Sequence, residues 1–260
     1  KLILNAMMLM DKHSCKAADK VIVVGRDMVD TLRNRFGKKM VPYAYINNWI
    51  NEKEIYPLPE GNAGVQKFRK RYGLDNRFVM MYSGNIGLYY DLPNLLKLIA
   101  QFQQEKDVVF AFIGEGSVLE ELKEYQQKHQ LENVVFIPYQ EKKDLIYSLN
   151  AGDVHFVMNA KGIKGVSVPS KLYGVMAAGK PVLGILEEGA EARLIVEEAQ
   201  CGRVVSPEDY EAIRNLIREF IQKRNSEELA CMGEKGRNYL VRHLTKDVSI
   251  KKYCDEILSC

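Results

Sequence analysis

The chain has 260 residues, of which 47% are hydrophobic and 27% are charged; these values are typical of a globular protein with a packed core and exclude a disordered or fibrous chain. The 37 Lys and Arg residues nearly balance the 34 Asp and Glu residues, so a net charge of +3 does not call for a nucleic-acid partner. No apolar stretch reaches the roughly 20 residues of a membrane span, and the five dispersed cysteines, without a C-x-x-C pair, are typical of reduced thiols in a cytoplasmic protein.

The first 50 residues have the pattern of an incomplete α/β unit. Apolar residues recur at helical spacing up to about residue 18, and strands are predicted at 21–24 and 40–46, on either side of a helix over 25–38. One strand, helix, strand unit cannot cover both faces of a sheet. Because the chain also opens inside a helical pattern without an initiator Met, we expect residues 1–50 to be the remnant of a larger domain. Residues 51–64, which are rich in Pro, Asn and Gly, are predicted to be a linker.

A regular alternation of strands and helices begins after a short helix that starts at Val65. Strands are predicted at 78–82, 108–113, 134–137, 154–158, 181–185 and 202–205, separated by helices at 92–102, 117–129, 142–149, 170–178 and 190–199. This alternation predicts an α/β fold with a doubly wound parallel sheet over residues 65–225 and a partial second α/β domain. Three helices follow, at about 207–223, 227–242 and 247–258, and the last two carry large apolar residues that must be buried.

In an open parallel sheet, ligands bind beyond the carboxyl ends of the strands. The first strand of this sheet ends in Ser83-Gly84-Asn85-Ile86-Gly87. Its glycines let the backbone approach a ligand, and exposed amides before a helix favour a phosphate. A tight turn that needs glycine for its geometry alone explains the same residues equally well, and no Walker Gly-Lys-Ser/Thr follows.

The next two turns leave alternatives open. Gly114-Glu115-Gly116-Ser117 follows the second strand, where Ser117 caps the next helix or Gly114 leaves room for a ligand. Pro138 and Tyr139 follow the third strand, where the tyrosine ring either stacks on a nucleobase or closes the edge of the core.

The fourth turn, over residues 159–182, is the most specific. Ser167 is a candidate helix cap, and Pro169 suits a first helical turn because its missing amide costs nothing there. Ser170 and Lys171 are predicted in that same turn, where a hydroxyl, free amides and a cation could meet a diphosphate. A lysine at a helix N-terminus is electrostatically unfavourable unless an anion compensates it, so Lys171 is the strongest candidate for a functional residue.

These turns, in this order, resemble those of the retaining GT-B glycosyltransferases of family 4 (glycosyl transferases group 1), which build bacterial surface polysaccharides. The likeness covers about residues 15–245. The matching pieces are Ser83-Gly84-Asn85, Ile113-Gly114-Glu115-Gly116, Val135-Phe136-Ile137-Pro138, Pro169-Ser170-Lys171 and Met176-Ala177-Ala178-Gly179-Lys180-Pro181-Val182.

The resemblance implies a set of donor-binding residues that needs neither a metal nor another cofactor. The set is Ser83, Gly84, Asn85, Gly87, Gly114, Glu115, Gly116, Pro138, Tyr139, Ser167, Val168, Pro169, Ser170 and Lys171. Lys171 and Ser170 are expected to stabilise the departing diphosphate. The resemblance also implies that residues 1–50 end the acceptor-binding domain and that residues 226–260 are crossover helices packing back toward it.

Two departures from the family pattern leave the donor open. Members commonly carry two glutamates eight positions apart, where this chain has Val166 and Gly174. The Arg and Lys that often hold the diphosphate are absent from 85–92, so Lys171 is expected to supply that charge.

The resemblance implies transfer of a hexose or N-acetylhexosamine from a nucleoside diphosphate, expected to be UDP, to a saccharide or lipid-linked saccharide acceptor. Retention of configuration follows from the resemblance alone, and no residue is assigned as nucleophile or base. We expect the 260-residue chain itself to transfer little or no sugar, because acceptor-binding groups come largely from the upstream domain.

Two rival functions remain open. A non-hydrolysing sugar-nucleotide epimerase shares the architecture, although we would expect carboxylates and histidines in its cleft and the chain has only four His. A binding-only relative would fit the missing glutamates.

The sequence predicts a cytoplasmic protein. Basic runs at 67–71 and 33–39 are either solvated helix faces or contacts with anionic lipid headgroups. The second alternative would suit a peripheral enzyme at the inner face of the plasma membrane, acting on a lipid-linked acceptor.

Overall fold

A computed structural model describes residues 2–259 and contains two parallel sheets. The small sheet pairs β1 (Val21–Val23) with β2 (Tyr43–Tyr45). The strands of the large sheet are β3 (Phe78–Ser83), β4 (Val108–Ile113), β5 (Val134–Ile137), β6 (Val154–Met158), β7 (Val182–Ile185) and β8 (Gly202–Val205).

Helices connect these strands and cover both faces of the large sheet. They are α1 (Leu2–Ala17), α2 (Arg26–Phe36), α3 (Ala63–Arg71), α4 (Leu92–Ile99), α5 (Leu119–Lys128), α6 (Leu145–Ala151), α7 (Lys171–Ala177), α8 (Glu191–Ala199), α9 (Tyr210–Gln222), α10 (Glu227–His243) and α11 (Lys246–Leu258). Among the helices of residues 2–259, none is both long and apolar enough to cross a bilayer.

The large sheet has the strand order β5-β4-β3-β6-β7-β8, with every pair parallel. This is the doubly wound order, and it confirms the predicted fold class. Every residue of β4 is buried, as is typical of a strand with helices on both faces. The order reverses between β3 and β6, so the turns after these two strands begin side by side and leave a crevice.

Two predicted caps are wrong. Helix α7 begins at Lys171 with Ser170 as its N-cap residue, so Pro169 and Ser167 precede the helix and neither lies in its first turn. The amide of Ser167 instead donates to the Ile163 carbonyl within the preceding loop. Helix α5 begins at Leu119 after Val118, and Ser117 does not cap it. The amide of Val118 instead donates to the carbonyl of Ile86, which ties this turn to the loop after β3.

The last two helices pack on different parts of the chain. Leu240 of α10 and Leu244 just after it are buried in the same apolar cluster as residues of α7 and α8. Helix α11 contacts the first 50 residues: the hydroxyl of Ser249 donates to the carbonyl of Asn47 at 3.0 Å, and the ring of Tyr253 meets Trp49 edge-on.

Most apolar side chains of α1 are exposed, among them Ile3, Leu4, Met7, Met8, Leu9 and Met10.

Candidate functional site

A cleft of about 460 Å³ opens where β3 and β6 end side by side. Nine of the predicted site residues line it: Ser83, Gly84, Asn85, Tyr139, Ser167, Val168, Pro169, Ser170 and Lys171. Gly174, one of the two positions of the family glutamates, also lines the cleft, and the sequence missed other lining residues, among them Ile50, Tyr90, Lys142, Leu149 and His155. The volume lies within the usual range for small-molecule sites.

The loop after β3 brings Gly84 against the side chain of Lys171. Gly84 has a φ of +148°, a conformation that residues with a Cβ rarely adopt. A Cβ added at Gly84 would lie 3.3 Å from Cε and 3.7 Å from Nζ of Lys171. The loop therefore needs glycine both for its backbone and for the close approach of the lysine.

The turn after β4 supports this loop and is not among the cleft-lining residues. A Cβ on Gly114 would lie 2.0 Å from the carbonyl oxygen of Gly84, and a Cβ on Gly116 would lie 2.2 Å from that of Ile86. The amide of Ile86 donates to the Glu115 carbonyl at 2.7 Å. The structure thus places Gly114, Glu115 and Gly116 behind the loop, and Gly87 and Pro138 also stand outside the lining.

The Lys171 ammonium is held by two tyrosines that sequence reasoning missed. Its Nζ donates to the Tyr82 hydroxyl at 2.6 Å, and that hydroxyl donates to the carbonyl of Asn85 at 2.7 Å. Nζ also lies 4.0 Å from the ring centroid of Tyr82 and 3.8 Å from that of Tyr90. Tyr82 immediately precedes Ser83 at the end of β3. A tyrosine in an otherwise apolar strand, next to the predicted ligand-binding turn, was the sequence feature that could have identified it.

No carboxylate neutralises Lys171: the salt bridges among residues 2–259 include none to this side chain. Burial lowers the pKa of Lys171 well below its usual value of 10.5. It also raises the pKa of Tyr82 and of Tyr90, so both phenols stay neutral. An anion entering the cleft would relieve the cost of the uncompensated ammonium.

The loop after β6 is fixed from two sides. The side-chain amide of Asn159, just after β6, donates to the Ser167 carbonyl at 3.2 Å. On the other side, a carboxylate oxygen of Asp27 accepts from the amide of Gly165 at 2.9 Å, and the Thr31 hydroxyl donates to the carbonyl of the same glycine. The first 50 residues therefore help to position the loop that carries Ser167 and leads into α7.

The two positions that lack the family glutamates lie in different surroundings. Val166 is 67% exposed and does not line the cleft. Gly174 lines it, but a Cβ there would lie 3.3 Å from a methyl carbon of Leu149 and 3.6 Å from one of Ile50. Apolar side chains therefore occupy the space into which a side chain at position 174 would project.

The rim and the floor of the cleft differ in polarity. Tyr139 is 71% exposed on the rim, which excludes a role in closing the core and leaves its ring free to stack. His155 is buried at the floor, where its Nε2 lies 3.0 Å from the Leu149 carbonyl. Burial lowers the pKa of His155 to about 3, so its ring is neutral. In the described part of the chain, no group of three or more His, Cys, Asp or Glu is placed to hold a metal ion.

Comparison with known protein families and relatives gives matches over most of the chain. The family model described as "Glycosyl transferases group 1" matches residues 65–239. "Probable glycosyltransferase WbjE" of Pseudomonas aeruginosa is 31% identical over 240 residues, and "Putative colanic acid biosynthesis glycosyl transferase WcaI" of Escherichia coli K12 is 27% identical over 246 residues. These matches cover 91% and 92% of the chain but 57% of each relative, so the chain spans little more than half the length of these relatives.

Solved structures of GT-B glycosyltransferases share the fold. Anabaena HepE in complex with UDP-glucose matches with a TM-score of 0.82 at 16% identity, covering 97% of this chain and 67% of that one. A sucrose-phosphate synthase from Thermosynechococcus elongatus matches with a TM-score of 0.79 at 17% identity, covering 98% and 63% respectively. At these identities, the matches establish the architecture alone.

Proposed function

Because the chain belongs to the glycosyl transferases group 1 family, we propose that it binds a nucleoside diphosphate sugar in the cleft between the Gly84 turn and Lys171. The whole protein would transfer a hexose or N-acetylhexosamine from this donor to a saccharide or lipid-linked saccharide, with retention of configuration. UDP is the proposed nucleotide, and the complexes of Anabaena HepE with UDP and UDP-glucose support it.

One observation carries the proposal: Lys171, which pairs with no carboxylate of residues 2–259, lies against a glycine turn at the switch point of a doubly wound sheet. Nζ of Lys171 is 3.7 Å from the position of a Cβ on Gly84, and both residues line the cleft. Two linked phosphates would meet a cation on one side and close-set backbone on the other. The exposed ring of Tyr139 at the rim offers a surface for the nucleobase.

The proposed chemistry requires charge stabilisation at the leaving group. The bond between the anomeric carbon and the β-phosphate oxygen breaks, a new bond forms to an acceptor oxygen, and the proton of the acceptor hydroxyl passes to solvent. The departing diphosphate gains negative charge, which Lys171, the Ser170 hydroxyl and the loop of Gly84 would stabilise without a metal. A preorganised cation in a poorly hydrated site is more effective here than one in water.

We propose that residues 65–225 form the donor-binding domain, that residues 51–64 link it to residues 1–50, and that residues 226–260 form the crossover helices. Acceptor binding would then rest largely on a further part that relatives of greater length contain, since the chain covers 57% of WbjE and of WcaI. The 260-residue chain by itself would bind the donor but transfer little sugar. A cytoplasmic location, with peripheral contact to the membrane for a lipid-linked acceptor, fits this proposal.

Calorimetric titration of the chain with UDP, GDP and ADP in the presence of EDTA tests the proposal. We expect UDP to bind in the micromolar to millimolar range, and Lys171→Met to weaken it about tenfold or more, the usual scale for a lost charge-assisted contact. Lys128→Met, on the far end of α5, is the matched control and should leave binding unchanged. Absence of binding by all three nucleotides at millimolar concentration would contradict the donor site. The binding-only alternative would be favoured if a protein as long as these relatives bound UDP but neither hydrolysed any UDP-sugar nor transferred its sugar.

A further inference from the structure

The hydroxyl of Tyr82 connects the two halves of the cleft. It accepts from Nζ of Lys171 at 2.6 Å and donates to the carbonyl of Asn85 at 2.7 Å. One oxygen therefore links the first residue of α7 to the loop after β3, across the line where the strand order reverses.

The core alone does not explain this hydroxyl. Tyr82 is fully buried, and its ring packs in the same apolar cluster as Phe112, with ring centroids 6.2 Å apart. A buried hydroxyl is costly unless it is hydrogen-bonded, and phenylalanine would fill the same volume without that cost. The two bonds to Lys171 and Asn85 are the compensation that the structure provides.

The partners of Lys171 hold its charge without neutralising it. A carboxylate at the same place would pair with the ammonium and repel a phosphate. The Tyr82 hydroxyl and the rings of Tyr82 and Tyr90 are neutral, and an ammonium over an aromatic face is held only moderately. None of these partners offsets the charge of protonated Lys171, so that charge remains available to an incoming anion.

We propose that Tyr82 is a positioning residue of the donor site, whose hydroxyl sets the Lys171 ammonium and the Gly84-Asn85 loop against each other before a nucleoside diphosphate binds. This inference rests on the proposed function. It assigns the role to the hydroxyl and not to the ring.

The pH dependence of UDP binding separates positioning from a merely structural role. UDP favours the charged form of Lys171, so affinity falls as pH rises through the pKa of Lys171 in the free protein. The Tyr82 hydroxyl accepts from the charged form, so its removal lowers that pKa further. In Tyr82→Phe, the fall in affinity should therefore begin at a lower pH than in the wild type. A loss of packing would lower affinity by the same factor at every pH.

The experiment is calorimetric titration with UDP from pH 7 to 9.5, above the region near pH 6 where a terminal phosphate titrates. It compares the wild type, Tyr82→Phe, Lys171→Met and the double variant. Tyr125→Phe on α5, whose hydroxyl lies outside the cleft-lining residues, is the matched control. Thermal unfolding of each variant establishes that it is folded.

We expect Tyr82→Phe to bind UDP about tenfold more weakly at pH 8, with its pH profile shifted to lower pH. Because the Tyr82 hydroxyl acts in part through Lys171, the loss of affinity in the double variant should be smaller than the sum of the two single losses. Two results overturn this inference but not the proposed function. One is a Tyr82→Phe variant with wild-type affinity for UDP and an unshifted pH profile, and the other is a double variant whose loss of affinity equals the sum of the two single losses. A Tyr82→Phe chain that does not fold assigns the hydroxyl to stability and also overturns it. A wild-type chain that binds no nucleoside diphosphate overturns the proposed function as well.

Discussion

The carboxylate of Glu191 is buried and accepts hydrogen bonds from three atoms of Arg26, the backbone amide at 2.7 Å, Nε at 2.9 Å and Nη2 at 3.3 Å. Glu191 is the first residue of α8, and Arg26 is the first residue of α2. The hydroxyl of Tyr45 also donates to this carboxylate, at 2.5 Å. This buried acid therefore helps to hold the first 50 residues against the part of the chain that carries the large sheet, together with the bonds of Asp27 and Thr31 to Gly165.

Removing Arg26 should destabilise the chain far more than removing an exposed arginine. Arg26→Ala leaves the Glu191 carboxylate buried without its cation, which costs about 3 kcal/mol in the free energy of unfolding. Arg33→Ala, which breaks the exposed pair with Asp30, should cost about 0.5 kcal/mol or less. Urea unfolding of both variants measures the difference, and equal losses would show that the Glu191 contact does not hold the two parts together.

Lys171→Met should raise stability while it weakens UDP binding. Within residues 2–259 the Lys171 ammonium pairs with no carboxylate and its charged form is disfavoured by burial, so replacement by methionine should stabilise the chain by about 1 kcal/mol. The pH dependence checks the cause. Since the pKa of Lys171 in the folded chain lies below the 10.5 of the unfolded chain, only the unfolded chain keeps the proton between the two values. Wild-type stability should therefore rise with pH in this window and approach that of the variant. A constant difference up to pH 10 would refute the explanation.

Gly84→Ala should lower both the stability of the fold and the affinity for UDP, whereas Gly73→Ala should lower the stability alone. Both glycines have positive φ, +148° and +66°, so alanine is strained at each by about 1 kcal/mol. At Gly84 the new Cβ meets the Lys171 side chain, whereas at Gly73 it meets no atom of the described neighbouring residues within 4 Å. Thermal unfolding and UDP titration of the pair separate the two effects. If Gly73→Ala lost as much affinity as Gly84→Ala, the contact with Lys171 would not be the cause.

His155→Gln should make the chain more resistant to acid. The pKa of His155 falls from 6.5 in the unfolded chain to about 3 in the folded one because the ring is buried. Between these values the unfolded chain binds a proton that the folded chain does not, so wild-type stability falls as the pH drops below 6.5. From pH 6.5 to pH 4 the loss is about 3 kcal/mol. Glutamine can still donate to the Leu149 carbonyl but does not titrate.

Urea unfolding of His155→Gln and the wild type from pH 4 to 7 measures this difference, since other titrating groups affect both chains alike. Parallel curves over that range would exclude His155 as the source of the acid sensitivity. A steeper fall in the variant would have the same consequence.

Local sequence determined the elements and the architecture. The strands β4, β5 and β6 were predicted with the bounds that the structure shows, because apolar runs of four to six residues between turn residues are too short for a typical helix. Because the strands alternate with helices through short connections, a doubly wound parallel sheet was the favoured topology. Since ligands bind at the carboxyl ends of such strands, the sequence also placed Gly84 and Lys171 in the same candidate donor site.

Only the tertiary structure decided what surrounds these residues. The sequence predicted Ser117 and Ser167 as caps from their position before a helix, whereas the start of α5 bonds to the carbonyl of Ile86 in another turn and α7 begins only after Ser170. The partnership of Tyr82 with Lys171 joins residues 89 positions apart, and that of Arg26 with Glu191 joins residues 165 apart. Propensity and spacing act over a few residues along the chain. Burial, and the hydrogen bonds that it makes necessary, depend on which segments the completed fold brings together.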